Sequence, residues 1–168
     1  MPERPEPDIG HVRAAMREHD DAPRSSHEPA LRGGVSFTTL DLEGEDRFQR
    51  LRRELEVTAF GLNLMRLRPR QQGRIHRHEH QEEVYVVLEG TLTLEVEDEP
   101  HELPRGSAAR VAPGVRRRLS NRGSELVAVL AIGGAHPHEG RDGAAFTSWE
   151  DETGVPPQDI PLPPDLDP

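Results

Sequence analysis

The sequence predicts an all-β protein, a barrel or jelly roll of seven or eight short strands. Apolar runs of strand length recur through the middle of the chain, and turn residues separate them. Almost no segment shows the three-to-four-residue spacing of a helix. The chain has 168 residues, which is enough for one domain that buries about two thirds of its unfolded surface.

Three segments carry the strand pattern. In TLTLEVE (91–97), apolar residues alternate with Thr93, Glu95 and Glu97, which predicts a half-buried strand with these polar side chains toward solvent. VYVVL (84–88) and LVAVLAI (126–132) are continuous apolar runs, typical of strands buried on both faces. Turn signals between them include the EG pair that ends at Gly90 and the NRGS segment at 121–124.

One short amphipathic helix is predicted before the strands. Phe48, Leu51 and Leu55 recur at helical spacing in RFQRLRREL (47–55). Their spacing places all three on one face, which we expect to be buried.

Proline and charge divide the chain into three parts. Of the 16 prolines, five lie in residues 1–34 and seven in residues 135–168. We predict an extended N-terminal arm over 1–34 that is mobile or partly ordered, a folded barrel over 35–134, and an acidic, proline-rich extended tail over 135–168. The tail has eight acids and one arginine, whereas the middle has 16 acids and 15 arginines.

Composition excludes several classes of function. The chain has no cysteine and no lysine, which excludes disulfides, thiolate metal ligands and Schiff-base catalysis. It has neither a basic stripe nor an aromatic platform, so we expect no nucleic-acid partner. No apolar run approaches a membrane span, and the N-terminus MPERPEPDIG lacks a signal-peptide core, so we expect a cytoplasmic protein without a membrane partner.

The segment RIHRHEHQEEVYVVLEG (74–90) carries the strongest chemical signal. His76 and His78 are two residues apart, so on a strand both imidazoles project to the same face. Glu83 follows after a polar stretch that turns the chain, and it begins the next strand. Two imidazoles and one carboxylate on neighbouring strands form a facial set typical of divalent transition metals such as iron, manganese, nickel or zinc.

This segment resembles the first motif of the cupin superfamily, since His76, His78, Glu83 and Gly90 fit its spacing. Gly106, Gly114 and Asn121 fall on the spacing of the second motif. The resemblance covers about residues 57–132. It implies a cupin double-stranded β-helix, commonly dimeric, with a dioxygenase, isomerase or decarboxylase centre or a ligand pocket inside the barrel. We therefore expect a homodimer.

Arg117 stands where the second cupin motif has a histidine, the family's fourth metal ligand. Val115, Arg117 and Leu119 share one strand face, so Arg117 points inward if its apolar neighbours do, while Arg116 and Arg118 face solvent. An inward guanidinium must meet an anion. That anion is either Glu83, which gives a metal-free site, or a small carboxylate-like ligand beside a metal.

Two interpretations of function follow. The first is a cupin barrel that binds a divalent metal through His76, His78 and Glu83 and a small anionic ligand through Arg117, with oxygenase or isomerase chemistry. The alternative is a non-catalytic, metal-free binding or sensor protein in which Arg117 pairs with Glu83. Tyr85 shares the strand parity of Glu83, so it either lines the pocket and offers its hydroxyl as a donor or packs in the core with that hydroxyl satisfied, which is the more frequent outcome.

The remaining predictions concern the other histidines and the tail. We expect His80 either at the surface or next to the metal ligands without binding the metal, His101 at the surface, and the pair His136 and His138 in a solvated loop. In AAFTSWED (144–151), Ser148 and Asp151 resemble a capping box, which predicts one helical turn. That turn would place Phe146 and the only tryptophan on one side, docked on the barrel of the same subunit or of a dimer partner. The alternative is a disordered tail with two exposed aromatics.

Overall fold

The computed structural model describes residues 34–134 and 142–167. Within them two five-stranded antiparallel sheets face each other, with strand orders β1-β2-β9-β4-β7 and β10-β3-β8-β5-β6. The strands are β1 (Phe48–Gln49), β2 (Gly61–Leu67), β3 (Ile75–His78), β4 (Glu82–Glu89), β5 (Thr91–Val96), β6 (Glu99–Pro104), β7 (Ala108–Val111), β8 (Arg117–Ser120), β9 (Val127–Gly134) and β10 (Gly143–Phe146). The helix α1 (Leu51–Glu54) and one 3-10 turn (Pro157–Asp159) complete the structure. The predicted all-β fold with one short helix is confirmed.

The main core lies between the two sheets. Inward-facing apolar side chains of both sheets fill it, namely Met65, Leu67, Tyr85, Val87, Leu92, Leu94, Val111, Leu119, Val127 and Val129. The tight turn between β4 and β5 depends on Gly90, whose φ is 72°. A Cβ at this position would also clash with the carbonyl oxygen of Leu126.

A second core covers the outer face of the first sheet. Leu51 of α1 is 1% exposed and packs against Leu64 of β2 and Ala128 of β9. The predicted helix is therefore present but only four residues long. Phe48 belongs to β1 instead and is 49% exposed, so the expectation that it shares the buried helix face is wrong. Its pairing with Met65 of β2 extends the chain before the helix begins.

Of the three polar residues predicted to face solvent in 91–97, Glu97 is exposed as predicted, whereas Thr93 and Glu95 are buried. Thr93 is fully buried and donates its hydroxyl hydrogen bond to Glu102 at 2.7 Å. Glu95 is 1% exposed and forms ion pairs with Arg118 and Arg122, the latter at 3.2 Å. The alternation is correct, but neighbouring side chains cover the face that we expected to meet solvent.

The sheet extends beyond the predicted boundary at residue 134. Strand β10 pairs with β3 in antiparallel register, from Gly143 opposite His78 to Phe146 opposite Ile75. Farther along, the backbone carbonyls of Ile160 and Pro164 accept hydrogen bonds from the side chains of Arg74 and Gln72 at 2.6 and 2.9 Å. The C-terminal segment is extended, as predicted, and it lies against the barrel.

The aromatic part of this segment docks on β8 of the same chain. The Arg116 guanidinium lies 5.6 Å from the ring centroid of Phe146 and 6.0 Å from that of Trp149. The Asp151 carboxylate accepts hydrogen bonds from the backbone amides of Thr147 and Ser148, as in a capping box. The chain makes a turn at Trp149–Glu150, as the motif indicates, but this turn is not part of a helix. In the described parts of the chain, no helix is long and apolar enough to cross a membrane.

Candidate metal centre

The strand register assembles the candidate site from both sheets. In the second sheet, His76 on β3 lies directly opposite Arg117 on β8. In the first sheet, Glu83 on β4 lies opposite Gly133 on β9, which in turn lies opposite Gly61 on β2. Arg117, Glu83, Gly133 and Gly61 share strand parity with main-core residues of their own strands and so face the interior of the barrel. His76 lies directly opposite Arg117 and therefore projects to the same face.

His76, His78 and Glu83 bring one potential ligand atom each to within 4.8 Å of one another. Nε2 of His76 lies 3.8 Å from Oε2 of Glu83, and Nε2 of His78 lies 3.5 Å from Oε1. The two imidazole rings stand nearly perpendicular, with centroids 5.7 Å apart. This group could hold a metal ion, as the sequence predicts.

The Nδ1 atoms of both histidines are anchored outside the triad. Nδ1 of His76 lies 3.0 Å from the carbonyl oxygen of Arg74, and Nδ1 of His78 lies 2.6 Å from a carboxylate oxygen of Asp142. Each partner is an acceptor, so each Nδ1 carries the proton and each Nε2 keeps its lone pair. Imidazoles held in this way present Nε2 as a metal ligand, and the donor set therefore fits a divalent transition metal.

Asp142 is a site residue that the sequence analysis missed. Its side chain is 2% exposed and accepts four hydrogen bonds, from His78, from the backbone amides of His80 and Gln81, and from the Gln81 side chain at 2.5 Å. Burial by itself disfavours the carboxylate, but these donors lower the pKa of Asp142 to about 2. Asp142 is therefore ionised at neutral pH and fixes both His78 and the turn before β4.

Arg117 on β8 completes the site by contacting the same carboxylate. It is fully buried, and its Nη2 donates a hydrogen bond to Oε2 of Glu83 at 2.5 Å. Its Nε donates to the Tyr85 hydroxyl at 3.3 Å, and that hydroxyl donates to the same Glu83 oxygen. The inward orientation predicted for Arg117 and Tyr85 is present. The anion that meets the guanidinium is Glu83.

These contacts determine the charges of the site. Burial opposes the ionised form of Glu83, yet the two neighbouring imidazoles and the Arg117 charge hold its pKa well below the usual value. Burial likewise opposes the charged form of His78, but Glu83 raises its pKa overall. For Tyr85, burial and the Glu83 charge raise the pKa, so its phenol is neutral. The site thus pairs an anionic carboxylate with one permanent cation and two imidazoles.

A cavity of about 650 Å³ adjoins this group. His78 and Glu83 form part of its wall, and Gly61 and Gly133 lie in the same transverse row as Glu83. A Cβ on Gly133 would lie 3.6 Å from Oε1 of Glu83, so this glycine leaves room for a ligand beside the carboxylate. Neither Arg117 nor Tyr85 belongs to the lining of this cavity.

Sequence comparison identifies the family of this barrel. The family model described as "Cupin domain" matches residues 63–133, which contain the triad, Arg117 and both glycine-anchored turns. The chain contains a cupin domain. A comparison with curated protein sequences finds no match.

Solved structures show the same cupin domain architecture. A sugar phosphate isomerase from a cupin superfamily, from Silicibacter pomeroyi, is 25% identical with a TM-score of 0.54. The match covers 60% of this chain and 65% of that protein, so the chain spans slightly less than two thirds of its length. A cupin protein from Bacteroides fragilis is 20% identical with a TM-score of 0.55, over 74% of this chain and 100% of that one.

The other sequence-predicted residues lie outside the cupin site. His80 and His101 are exposed, as predicted, although the His80 amide contributes to the Asp142 anchor. His136 and His138 lie outside the described residues. Arg116 and Arg118 do not simply face solvent, since Arg116 binds Glu97 at 2.8 Å and Arg118 pairs with buried Glu95. These two acids, together with Trp149 of the tail, which lies against both arginines, account for this difference.

Proposed function

We propose that this cupin domain binds one divalent transition metal, iron, manganese, nickel or zinc, through His76, His78 and Glu83, and a small anionic organic ligand in the adjoining cavity. The observation that supports the proposal most is the orientation of the imidazoles. Both Nδ1 atoms are held by acceptors while both Nε2 atoms point at Glu83. A solvated histidine pair would have no need of these two anchors.

The proposed reaction class is the isomerisation of a small molecule, with oxygenase chemistry as the second possibility within the fold. The isomerase is favoured because the Silicibacter pomeroyi structure, at 25% identity, is named a sugar phosphate isomerase. A bound divalent ion would supply Lewis-acid polarisation of a ligand oxygen. The protein's own residues then have distinct tasks. His78 and Glu83 border the ligand, Asp142 orients His78, and Arg117 with Tyr85 keeps Glu83 ionised.

The rival function is metal-free ligand binding or sensing. It is supported by the 2.5 Å bond between Arg117 and Glu83, because the guanidinium already supplies a positive charge at the carboxylate. In this interpretation the histidines are hydrogen-bonding groups of a binding pocket. The homodimer and the cytoplasmic location predicted from the sequence stay predictions.

Metal analysis separates the two functions. Protein purified without added metal or an affinity tag is analysed for its elements and then titrated calorimetrically with Fe(II), Mn(II), Ni(II) and Zn(II). We expect one ion per chain in the wild type. His76→Ala and His78→Ala should show no binding at micromolar metal while keeping the native circular dichroism spectrum. His101→Ala, an exposed histidine outside the site, serves as the control and should bind as the wild type does. No binding by the wild type would support the metal-free rival.

A further inference from the structure

Three arginines line the cavity that reaches His78 and Glu83, and the cupin motifs include none of them. Arg52 and Arg53 lie on the single turn that forms α1, and Arg50 directly precedes it. The buried side chain of Leu51 fixes this turn against β2 and β9. The cationic side chains are therefore presented by a segment whose backbone is already held in place. We call these three residues the arginine rim.

No carboxylate in the described residues forms an ion pair with the arginine rim. Arg52 donates to the backbone carbonyl of Val57 at 3.1 Å, and this is a bond to a neutral acceptor. The cavity wall contains two carboxylates, Glu56 and Glu83. The charge of Glu83 is neutralised by its ion pair with Arg117, which does not line the cavity. Among the residues that line this cavity, three rim cations against the one remaining anion, Glu56, leave a net charge of about +2 before any metal is counted. Arg50 and Arg53 also border a neighbouring cavity that contains Asp41, Asp46 and Glu54.

We infer that the arginine rim is a phosphate subsite, and that the ligand of this cupin domain is a small phosphate monoester. A phosphate monoester carries about two negative charges at neutral pH and presents three acceptor oxygens, which match the local charge and the donors of guanidinium groups. Arginine rather than lysine suits this task because its planar fork binds such oxygens in pairs.

The size and lining of the cavity fit a molecule of this kind. A volume of about 650 Å³ lies within the range of small-molecule sites. Thr58 and Asn63 also line the wall and offer a hydroxyl and an amide to the hydroxyl groups of a ligand. With its phosphate on the rim, the remainder of the ligand extends toward His78 and Glu83. The inferred position of this second end depends on the proposed function, whereas the inferred position of the phosphate depends only on the arginine rim.

The test uses glycerol 3-phosphate as the probe, with glycerol and malonate as companions at the same ionic strength. Calorimetric titrations are made on the full-length protein, once loaded with metal and once freed of metal by a chelator. Arg50→Gln combined with Arg53→Gln should weaken glycerol 3-phosphate binding at least about tenfold, by the same factor in both metal states. The affinity of the variant for metal should match that of the wild type, which also shows that it folds.

Two further variants make the result specific. Arg68→Gln combined with Arg105→Gln removes two exposed arginines that do not line this cavity and should leave glycerol 3-phosphate binding unchanged. Arg50→Lys combined with Arg53→Lys keeps the charge and should bind better than the glutamine variant but less well than the wild type.

Several outcomes would overturn the inference. They are undetectable binding of glycerol 3-phosphate at millimolar concentration, equal binding by the wild type and the glutamine variant, and glycerol binding as tight as that of its phosphate. Tighter binding of malonate would assign the rim to dicarboxylates and contradict the phosphate. If the wild type binds no metal but the rim variants behave as expected, the proposed metal function fails and the phosphate subsite stands.

Discussion

Asp142 determines which nitrogen of His78 faces the cavity. A neutral imidazole exists as two tautomers, and a carboxylate 2.6 Å from Nδ1 selects the one with the proton on that atom. The same carboxylate holds the amides of His80 and Gln81, so it also fixes the turn that leads to Glu83. One side chain thus positions His78 and the turn that leads from it to Glu83.

Asp142→Asn should lower the affinity for divalent metal about 10- to 100-fold, the usual effect of losing the carboxylate partner of a metal-binding histidine. The amide is isosteric but neutral, and its NH2 group can turn toward Nδ1 and favour the wrong tautomer. Calorimetric titration with Zn(II) or Mn(II) measures the change. Asp159→Asn, an exposed acid of the same tail, is the matched control and should have no effect. Unchanged affinity in Asp142→Asn would show that the anchor does not act on metal binding.

Arg117 is the second single residue on which the site depends. Among the described residues, its guanidinium is the only permanently charged cation that contacts Glu83. Arg117→Ala leaves a partly buried carboxylate without its partner and should lower the free energy of unfolding by about 3 kcal/mol in the metal-free protein. Arg110→Ala, which removes an exposed partner of Glu82, should change it by less than about 0.5 kcal/mol. Urea unfolding measures both values.

Arg117→His restores the imidazole of the cupin motif directly opposite His76. It also frees Oε2 of Glu83 from the guanidinium. We expect the metal affinity to rise at least about tenfold, equivalent to about 1.4 kcal/mol. Calorimetric titration beside the wild type measures it, and an unchanged or weaker affinity would mean that position 117 does not face the bound ion.

At the scale of elements, β10 is the strand that joins the tail to the candidate site. It buries Ala145 and Phe146 and pairs along the whole of β3, the strand that carries both histidines. The segment after it, over residues 160–167, is held by hydrogen bonds to the loop at 70–74. The two parts of the tail therefore contribute unequally to stability.

Truncation after Gly143 should lower the melting temperature by more than about 10 °C or prevent folding, because the loss of Phe146 alone removes about 3–5 kcal/mol of burial. Truncation after Val155 removes a few hydrogen bonds at the surface and should lower it by about 2–4 °C. Scanning calorimetry compares the three proteins. Emission from Trp149 provides a second measurement and should be blue-shifted and poorly quenched in the full chain. Equal melting temperatures with freely quenched emission would contradict the docking.

The sequence predicted the features that depend on local register. His76, His78 and Glu83 follow from strand parity and a fixed spacing, and the inward orientation of Arg117 follows from its apolar neighbours. Asp142 could not be found in this way, because it reaches His78 only through the pairing of β10 with β3, 64 residues away in the chain. A tail rich in proline and acid gives no local signal for a sheet strand.

Glu95 and Arg118 differ from their predicted environments for one shared reason. The alternation rule assigned Glu95 and Arg118 to solvent because it assumes that the outer face of a sheet is bare. In this protein Glu95 pairs with Arg118, and the Arg118 guanidinium lies 5.7 Å from the Trp149 ring. Parity correctly predicted the face of each strand, and only the tertiary structure determines what covers that face.

At the scale of the whole molecule, the metal and the fold should be coupled. The three proposed ligands come from two strands that lie in different sheets, β3 and β4. An ion bound to all three would link the two sheets, and such an ion binds the native state but not the unfolded chain.

Saturation with metal at about 100 times the dissociation constant should add about 2.7 kcal/mol to the free energy of unfolding. The melting temperature should rise by about 5–10 °C and return after treatment with a chelator. Differential scanning calorimetry of the wild type and His76→Ala, with and without Mn(II) or Zn(II), measures this. The response should be absent in the variant, and a similar rise in both proteins would place the stabilising ion elsewhere.

The position of Asp142 after the three proposed ligands in the chain also orders events during synthesis. A growing polypeptide exposes His76, His78 and Glu83 long before the ribosome has added the carboxylate that fixes the His78 tautomer. Strand β10, which pairs with β3, begins at the residue after Asp142. A nascent chain therefore carries the three ligands without their final orientation, and the centre becomes complete only after Asp142 and β10 have been synthesised. A prematurely terminated chain lacks this orientation, so a completed centre marks a polypeptide that has been synthesised through β10.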